Sequence, residues 1–260
     1  MNDIQKKFEK NGYVVVPADK KLIDEIRNQI FLTIKSNFKK REKKSIEFLL
    51  NNFHKFIKTK DLNKIRFNAY NKINTKKFSE IYYHIAKKYL DGLVGNELSM
   101  QKKINLSIQI PKDKDSLLDL HSDIYAGESP FQVVVWIPLV NAYETKSMYI
   151  TEPKFNKVMN NLLLRSNKYT SKNMYSRNKK KFKFINVNYG EILIFSPLML
   201  HGNTVNKTKE TRFSLNCRFK SLLSPYDVLV KSHRNIPNFY RPLNIKPMTK
   251  IGFNYLKKFS

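Results

Sequence analysis

The spacing of apolar residues changes once along this chain, near residue 100, and that change constrains the fold more than any single motif. Before it, Leu22, Ile26, Ile30 and Ile34 recur at helical spacing. So do Ile46, Leu49, Leu50 and Phe53, and then Phe78, Ile81, Tyr82, Ile85 and Tyr89. Three amphipathic helices are expected, the last stopped by Gly92 or Gly95. Ahead of them, residues 13–16 (YVVV) after Gly12 read as a short strand. After residue 100 the period becomes two: in 105–110 (NLSIQI), Leu106, Ile108 and Ile110 face one way and Asn105, Ser107 and Gln109 the other. Further strands are expected at 131–140, 147–150, 184–188, 191–195 and 212–220, without the intervening helices that parallel strands require.

The expected class is therefore mainly β with helices (α+β), in one domain over 1–260. Residues 1–100 form a mainly helical part and 101–223 a β core; 224–260, with Pro225, Pro237, Pro242 and Pro247, form an irregular tail. A polar, Lys/Asn-rich insertion at about 152–183 interrupts the core. Its segment 158–164 (VMNNLLL) predicts a helix and loop over the sheet, a candidate lid.

Composition narrows the partners. With 260 residues, of which 41% are hydrophobic, the chain can bury a sizeable core. The longest apolar run, 133–140 (VVVWIPLV), is far short of the roughly 20 residues a membrane-spanning helix needs. The start lacks a signal-peptide apolar segment, so a soluble, cytoplasmic protein without a membrane partner is expected. Cys217 is the only cysteine, which rules out an intrachain disulfide and a cysteine-based zinc cluster. Any metal must be held by histidine and carboxylate. The net charge of +28, from 49 Lys+Arg against 21 Asp+Glu, would suit a polyanion. The lysines are spread along the whole chain, however, and the accompanying excess of Asn, Ile, Phe and Tyr is the bias an AT-rich coding sequence produces. A nucleic-acid partner is not expected; an anionic small substrate remains compatible.

The chemistry lies in the β half. On an extended strand residues i and i+2 point the same way, so His121 and Asp123 would aim an imidazole and a carboxylate at one point. The strand and turn EILIFSPLMLHG supply a second histidine, His201. Two histidines and one carboxylate make the facial set that holds Fe(II) with open positions beside it. Arg212 opens the strand RFSLNCRF, in which Arg212, Ser214, Asn216 and Arg218 share one face and Phe213, Leu215, Cys217 and Phe219 the other. A guanidinium aimed inward from such a sheet needs a carboxylate partner, which its forked geometry favours. Each element alone occurs by chance; their order along the β half is what makes the set specific.

These residues resemble the phytanoyl-CoA dioxygenase-like branch of the Fe(II)/2-oxoglutarate oxygenases. Phe8 through Pro17 (FEKNGYVVVP) followed by a helix is similar to that family's opening. His121-Ser-Asp123, then Phe195 to His201-Gly-Asn203, then Arg212 resemble its iron ligands and its 2-oxoglutarate-binding arginine in the expected order. The stretch from His121 to Ile150, with SPFQVVVWIPLV and KSMYI, looks like a bacterial group associated with surface-carbohydrate gene clusters. The insertion and the tail are not covered. The resemblance implies a double-stranded β-helix, of the jelly-roll or cupin-like kind, with the N-terminal helices packed outside. It implies Fe(II) on His121, Asp123 and His201, with 2-oxoglutarate and O2 as cosubstrates. Arg212 would bind the distal carboxylate with Ser214 beside it, and Gln109, Trp136 and Asn203 would line the cosubstrate pocket. The implied reaction oxidises a small substrate, a carbohydrate or nucleotide-linked sugar, with release of succinate and CO2. Asp123 favours oxygenation over halogenation, since related halogenases lack that carboxylate. Tyr125, Glu128 and the insertion are placed to grip substrate. The residues alone leave two alternatives open: a cupin-like metal-dependent sugar isomerase or epimerase, which has no need of Arg212, and a non-catalytic basic nucleic-acid-binding protein.

Overall fold

The computed structural model describes residues 3–38, 43–165, 168, 170–224, 234, 236 and 238–256. Two antiparallel sheets face each other, with helices on both outer sides. The larger sheet contains β1 (Tyr13–Pro17), β2 (Leu98–Gln101), β3 (Asn105–Gln109), β4 (Gln132–Pro138), β7 (Glu191–Phe195), β9 (Arg212–Ser221) and β10 (Tyr240–Pro242). Its order is β1-β7-β4-β9-β2-β10, with β3 also paired to β9. The smaller sheet runs β6-β5-β8, from β5 (Tyr149–Thr151), β6 (Phe182–Phe184) and β8 (His201–Gly202).

Alternation along the strands builds the layers. On β4, Val133, Val135 and Ile137 join the core under the N-terminal helices, while Val134 and Trp136 join a second core between the sheets. β7 does the same, with Ile192 and Ile194 outward and Leu193 and Phe195 inward. Helix α2 (Lys20–Ile34) is capped by Asp19, which accepts from the Lys21 amide at 2.9 Å, and buries Ile23, Ile26, Ile30 and Ile34 against the sheet. Helix α5 (Lys76–Leu93), capped by Thr75, buries Phe78, Ile81, Tyr82, Ile85 and Tyr89, and the Tyr82 hydroxyl donates to Val135 O of β4 at 2.7 Å. Gly95, with φ at +120°, ends this run; Gly92 lies inside the helix. Also on this side are α1 (Asp3–Asn11), α3 (Ile46–Asn51) and α4 (Leu62–Ile73).

The insertion covers the smaller sheet. It holds two helices, α6 (Pro153–Arg165) and α7 (Ser171–Arg177), where one helix and a loop were expected. Met159, Met174 and an aromatic group of Tyr149, Tyr175 and Phe182 fill the space beneath them. The strand expected at 184–188 instead occupies Phe182–Phe184, followed by an isolated bridge from Val187 to Ala142. The tail departs from the irregular expectation: β10 joins the sheet edge against β2, and α8 (Pro247–Leu256) follows. Of the tail's four prolines, Pro225 and Pro237 lie outside the described residues. Among the described residues no helix is long and apolar enough to cross a membrane.

Candidate metal centre

The three residues expected to hold a metal do converge, by a different local route. His121 and Asp123 do not lie on an extended strand. His121 forms an isolated antiparallel bridge to His201, with His121 N to His201 O at 3.0 Å and His201 N to His121 O at 2.9 Å. Asp123 opens a single 3-10 turn, Asp123–Ala126, and its amide donates to Pro197 O at 3.1 Å. The bridge brings the two imidazoles within 4.3 Å, centroid to centroid, and the turn swings the carboxylate under them. Asp123 Oδ1 lies 3.6 Å from His121 Nε2 and 3.9 Å from His201 Nε2. Among the described residues this is the one cluster of histidine and carboxylate groups close enough to hold a metal ion, its ligand atoms all within 4.8 Å of one another.

The orientation of each ring is fixed from behind. His121 Nδ1 lies 2.7 Å from Asp119 O and His201 Nδ1 2.9 Å from Met199 O, so each carbonyl takes an Nδ1 proton and leaves Nε2 as the free donor atom. Burial lowers the His201 imidazole, with the neighbouring His121 adding to it, to a pKa of about 4, a neutral ring ready to ligate. Burial works the other way on Asp123 and would raise it; His121, His201 and Arg218 outweigh that and hold the carboxyl well below the usual range. Close packing fixes strand β8 at His201: a Cβ on Gly202 would meet the Tyr149 hydroxyl at 2.5 Å and Leu118 O at 2.8 Å.

Beside the triad is a cavity of about 60 Å³, lined among others by Ser107, Leu118, Trp136, His201, Asn203 and Arg212. Arg212 is buried, with Nη2 donating to Ser107 Oγ at 3.1 Å, Nε without a partner and no ion pair among the described residues. Burial, reinforced by Arg66, lowers this guanidinium to a pKa of about 10, the mark of a cation short of an anion. Around it the Ser214 hydroxyl, the Thr204 hydroxyl and Gln109 Oε1 are also buried without hydrogen bonds. Gln109 stands opposite Arg212 in the β3–β9 register and spends its Nε2 on Thr204 O at 2.8 Å. Thr204 was not singled out from the sequence; no spacing rule marks a lone threonine after a histidine.

Other expected residues play different parts. The Asn203 amide is fully used by the backbone, accepting from Leu118 N at 2.7 Å and donating to Ser116 O at 3.1 Å, so it shapes the cavity wall. Trp136, on the inward face of β4, forms another wall. Glu128 is not placed to grip substrate. It is 1% exposed and held by Arg234 at 2.9 Å and the Tyr240 hydroxyl at 2.6 Å. Tyr125 is partly exposed, and its hydroxyl donates to Asn160 of α6, tying the turn after Asp123 to the insertion. Arg218 was named only as a neighbour of Arg212 on the polar face of β9, yet it contacts Asp123 directly, Nε to Oδ2 at 3.0 Å. The period-two pattern had already put it on the right face.

No protein-family profile matches the chain, and no curated protein does. Solved structures do match. The chain is similar to the non-heme monooxygenase ThoJ, described as a nickel complex, at 14% identity and a TM-score of 0.53, covering 84% of this chain and 77% of that one. It is similar to the "non-heme alpha ketoglutarate dependent carbocyclase SnoK from nogalamycin biosynthesis" at 11% identity and a TM-score of 0.54, over 95% of this chain and 94% of that one. It is also similar to HygX from Streptomyces hygroscopicus, solved with nickel and 2-oxoglutarate bound, at 10% identity and a TM-score of 0.53, over 86% and 88% of the two chains. The chain therefore has the α+β fold of these non-heme oxygenases, and its His121, Asp123 and His201 form a cluster able to hold a metal ion within that fold.

Proposed function

We propose that this chain is an Fe(II)- and 2-oxoglutarate-dependent dioxygenase acting on a small molecule, with a double-stranded β-helix core inside a single domain over 1–260. One observation carries the reading: His201 of the His-Asp-His cluster lines one cavity with a buried arginine that has no ion pair among the described residues. Two imidazoles and a carboxylate fit Fe(II), and His121, Asp123 and His201 would hold it. The unpaired Arg212 Nε and the orphaned Ser214 and Thr204 hydroxyls fit a carboxylate, so Arg212 would take the distal carboxylate of 2-oxoglutarate with Ser214 and Thr204 beside it. HygX, bound to 2-oxoglutarate in one structure and to iron in another, supports the same pair of groups here. When bound, iron and 2-oxoglutarate together supply O2 activation, oxidising the substrate and releasing succinate and CO2. The chain's own part is to orient and to exclude water. Arg212 would fix the distal end of the cosubstrate, Gln109 opposite it in the register and Asn203 in the cavity wall would shape the pocket, and Trp136 with Phe195 would close one side against solvent. The resemblance to the phytanoyl-CoA dioxygenase-like, carbohydrate-cluster group favours a sugar or nucleotide-linked sugar as substrate, and the basic surface suits an anionic one.

The test is an anaerobic titration of the protein with Fe(II) and then 2-oxoglutarate, following the visible charge-transfer band of the chelate. His201→Ala is expected to abolish the band and Arg212→Ala to weaken it. A folded wild-type protein that gives no band would overturn the reading and raise the isomerase alternative.

A further inference from the structure

The two arginines on the polar face of β9 are in opposite circumstances. Arg212 forms no ion pair among the described residues, whereas Arg218 meets two acids, Asp123 and Glu128. Its Nε donates to Asp123 Oδ2 at 3.0 Å, its Nη2 lies 2.9 Å from the same oxygen, and its Nη1 donates to Gln101 Oε1 at 3.1 Å. Behind it the buried Glu128 approaches Nε at 3.5 Å and is itself held by Arg234, Tyr240 and Gln132. The guanidinium is thus fixed by β2, by Glu128 and by its own strand, and Asp123 Oδ2 has nowhere else to turn. The other oxygen, Oδ1, is the one facing both Nε2 atoms.

We propose that Arg218 is a positioning residue that occupies the outer oxygen of Asp123, so that this carboxylate meets a bound metal through Oδ1 alone. The proposal deepens the oxygenase reading and rests on it. A carboxylate free to rotate about its Cβ–Cγ bond can chelate a cation with both oxygens. In a facial triad that second contact takes a position the 2-oxoacid needs. Charge-assisted bonds from a rigid guanidinium hold the rotor. Glu128 and Arg234 complete the balance, two buried carboxylates against two guanidinium groups, so that clamping Asp123 leaves no isolated charge.

The test uses the full chain and three variants, Arg218→Met, Arg218→Gln and Arg218→Lys. Mn(II) affinity is followed by electron paramagnetic resonance, and 2-oxoglutarate affinity by the charge-transfer band with Fe(II). Arg218→Met is expected to bind Mn(II) at least as tightly as the wild type while its 2-oxoglutarate affinity falls about tenfold, the scale typical of groups that orient metal ligands. Arg218→Gln keeps an N–H donor and Arg218→Lys a cationic one, so both are expected to recover most of that loss. If Arg218→Met does not fold, the Gln and Lys variants carry the comparison. Mn(II) and 2-oxoglutarate affinities falling together in Arg218→Gln would mark a merely structural role and overturn the proposal, as would unchanged 2-oxoglutarate binding by Arg218→Met. A wild-type protein that binds neither Fe(II) nor 2-oxoglutarate would instead bring down the oxygenase reading, and this inference with it.

Discussion

Gly202 has no room for a side chain. Tyr149, whose hydroxyl would meet the added Cβ, is stacked on Tyr175 at 4.2 Å between centroids and edged by Phe182 and Phe184, so it cannot step aside. Gly202→Ala is expected to cost about 1–3 kcal/mol by overpacking, measured by denaturant unfolding. Because the strained residue follows His201, Mn(II) affinity should fall with it. Acids away from the centre, Asp113 and Glu210 among them, contribute to the acid limb of stability. Burial alone would raise Asp113, but Ser116, the Asp115 amide and Arg66 hold it below the usual range. Glu210 is likewise held down, against burial, by Lys146 and Tyr143. For such groups the unfolded chain takes up protons more readily than the native one. Their stabilisation is therefore complete above the ordinary carboxylate pKa of about 4 and is lost as pH falls through and below it. The thermal midpoint should drop across that window, and Asp113→Asn should flatten the drop.

At the scale of the element, β9 organises the molecule. Its polar face presents Arg212, Ser214 and Arg218 to the space between the sheets, while Phe213, Leu215, Cys217 and Phe219 enter the core under the helices. Phe213→Ala, which removes the ring packed edge-on against Phe53 at 5.3 Å, is expected to cost about 3–5 kcal/mol in unfolding free energy. This strand was legible because it is long enough for its alternation to show; α2 and α5 were legible because their stripes repeat over several turns. What could not be read were elements whose existence depends on a distant partner. β2 alternates Leu98 and Met100 with Ser99 and Gln101 over only four residues, too few for the period to stand out, and β10 is three residues long in a proline-rich tail. Helix α1 offers the core only Ile4 and Phe8, both half-buried, a stripe too short to mark a helix by its spacing. The metal cluster was legible as residues and not as geometry. His121 and Asp123 meet through a bridge and a 3-10 turn, and neither is encoded by local period.

At the scale of the whole molecule, the charge of +28 acts as a field. With so many more cations than anions on one folded chain, self-repulsion opposes compactness, and counterions relieve it. Raising salt from about 10 mM to about 150 mM shortens the screening length from about 30 Å to about 8 Å, so the thermal midpoint should rise over that range. A midpoint independent of salt would mean that the lysines are spread too evenly to repel. The bridge between His121 and His201 joins chain segments far apart in sequence, one held by the loop after β3 and the other by the smaller sheet. An ion that needs both imidazoles finds them together only in chains whose sheets have already closed. Binding is then coupled to folding by mass action, adding about 2.7 kcal/mol at a hundredfold excess over the dissociation constant. The melting temperature of this protein thereby becomes a gauge of free metal, one that His201→Ala should leave blind.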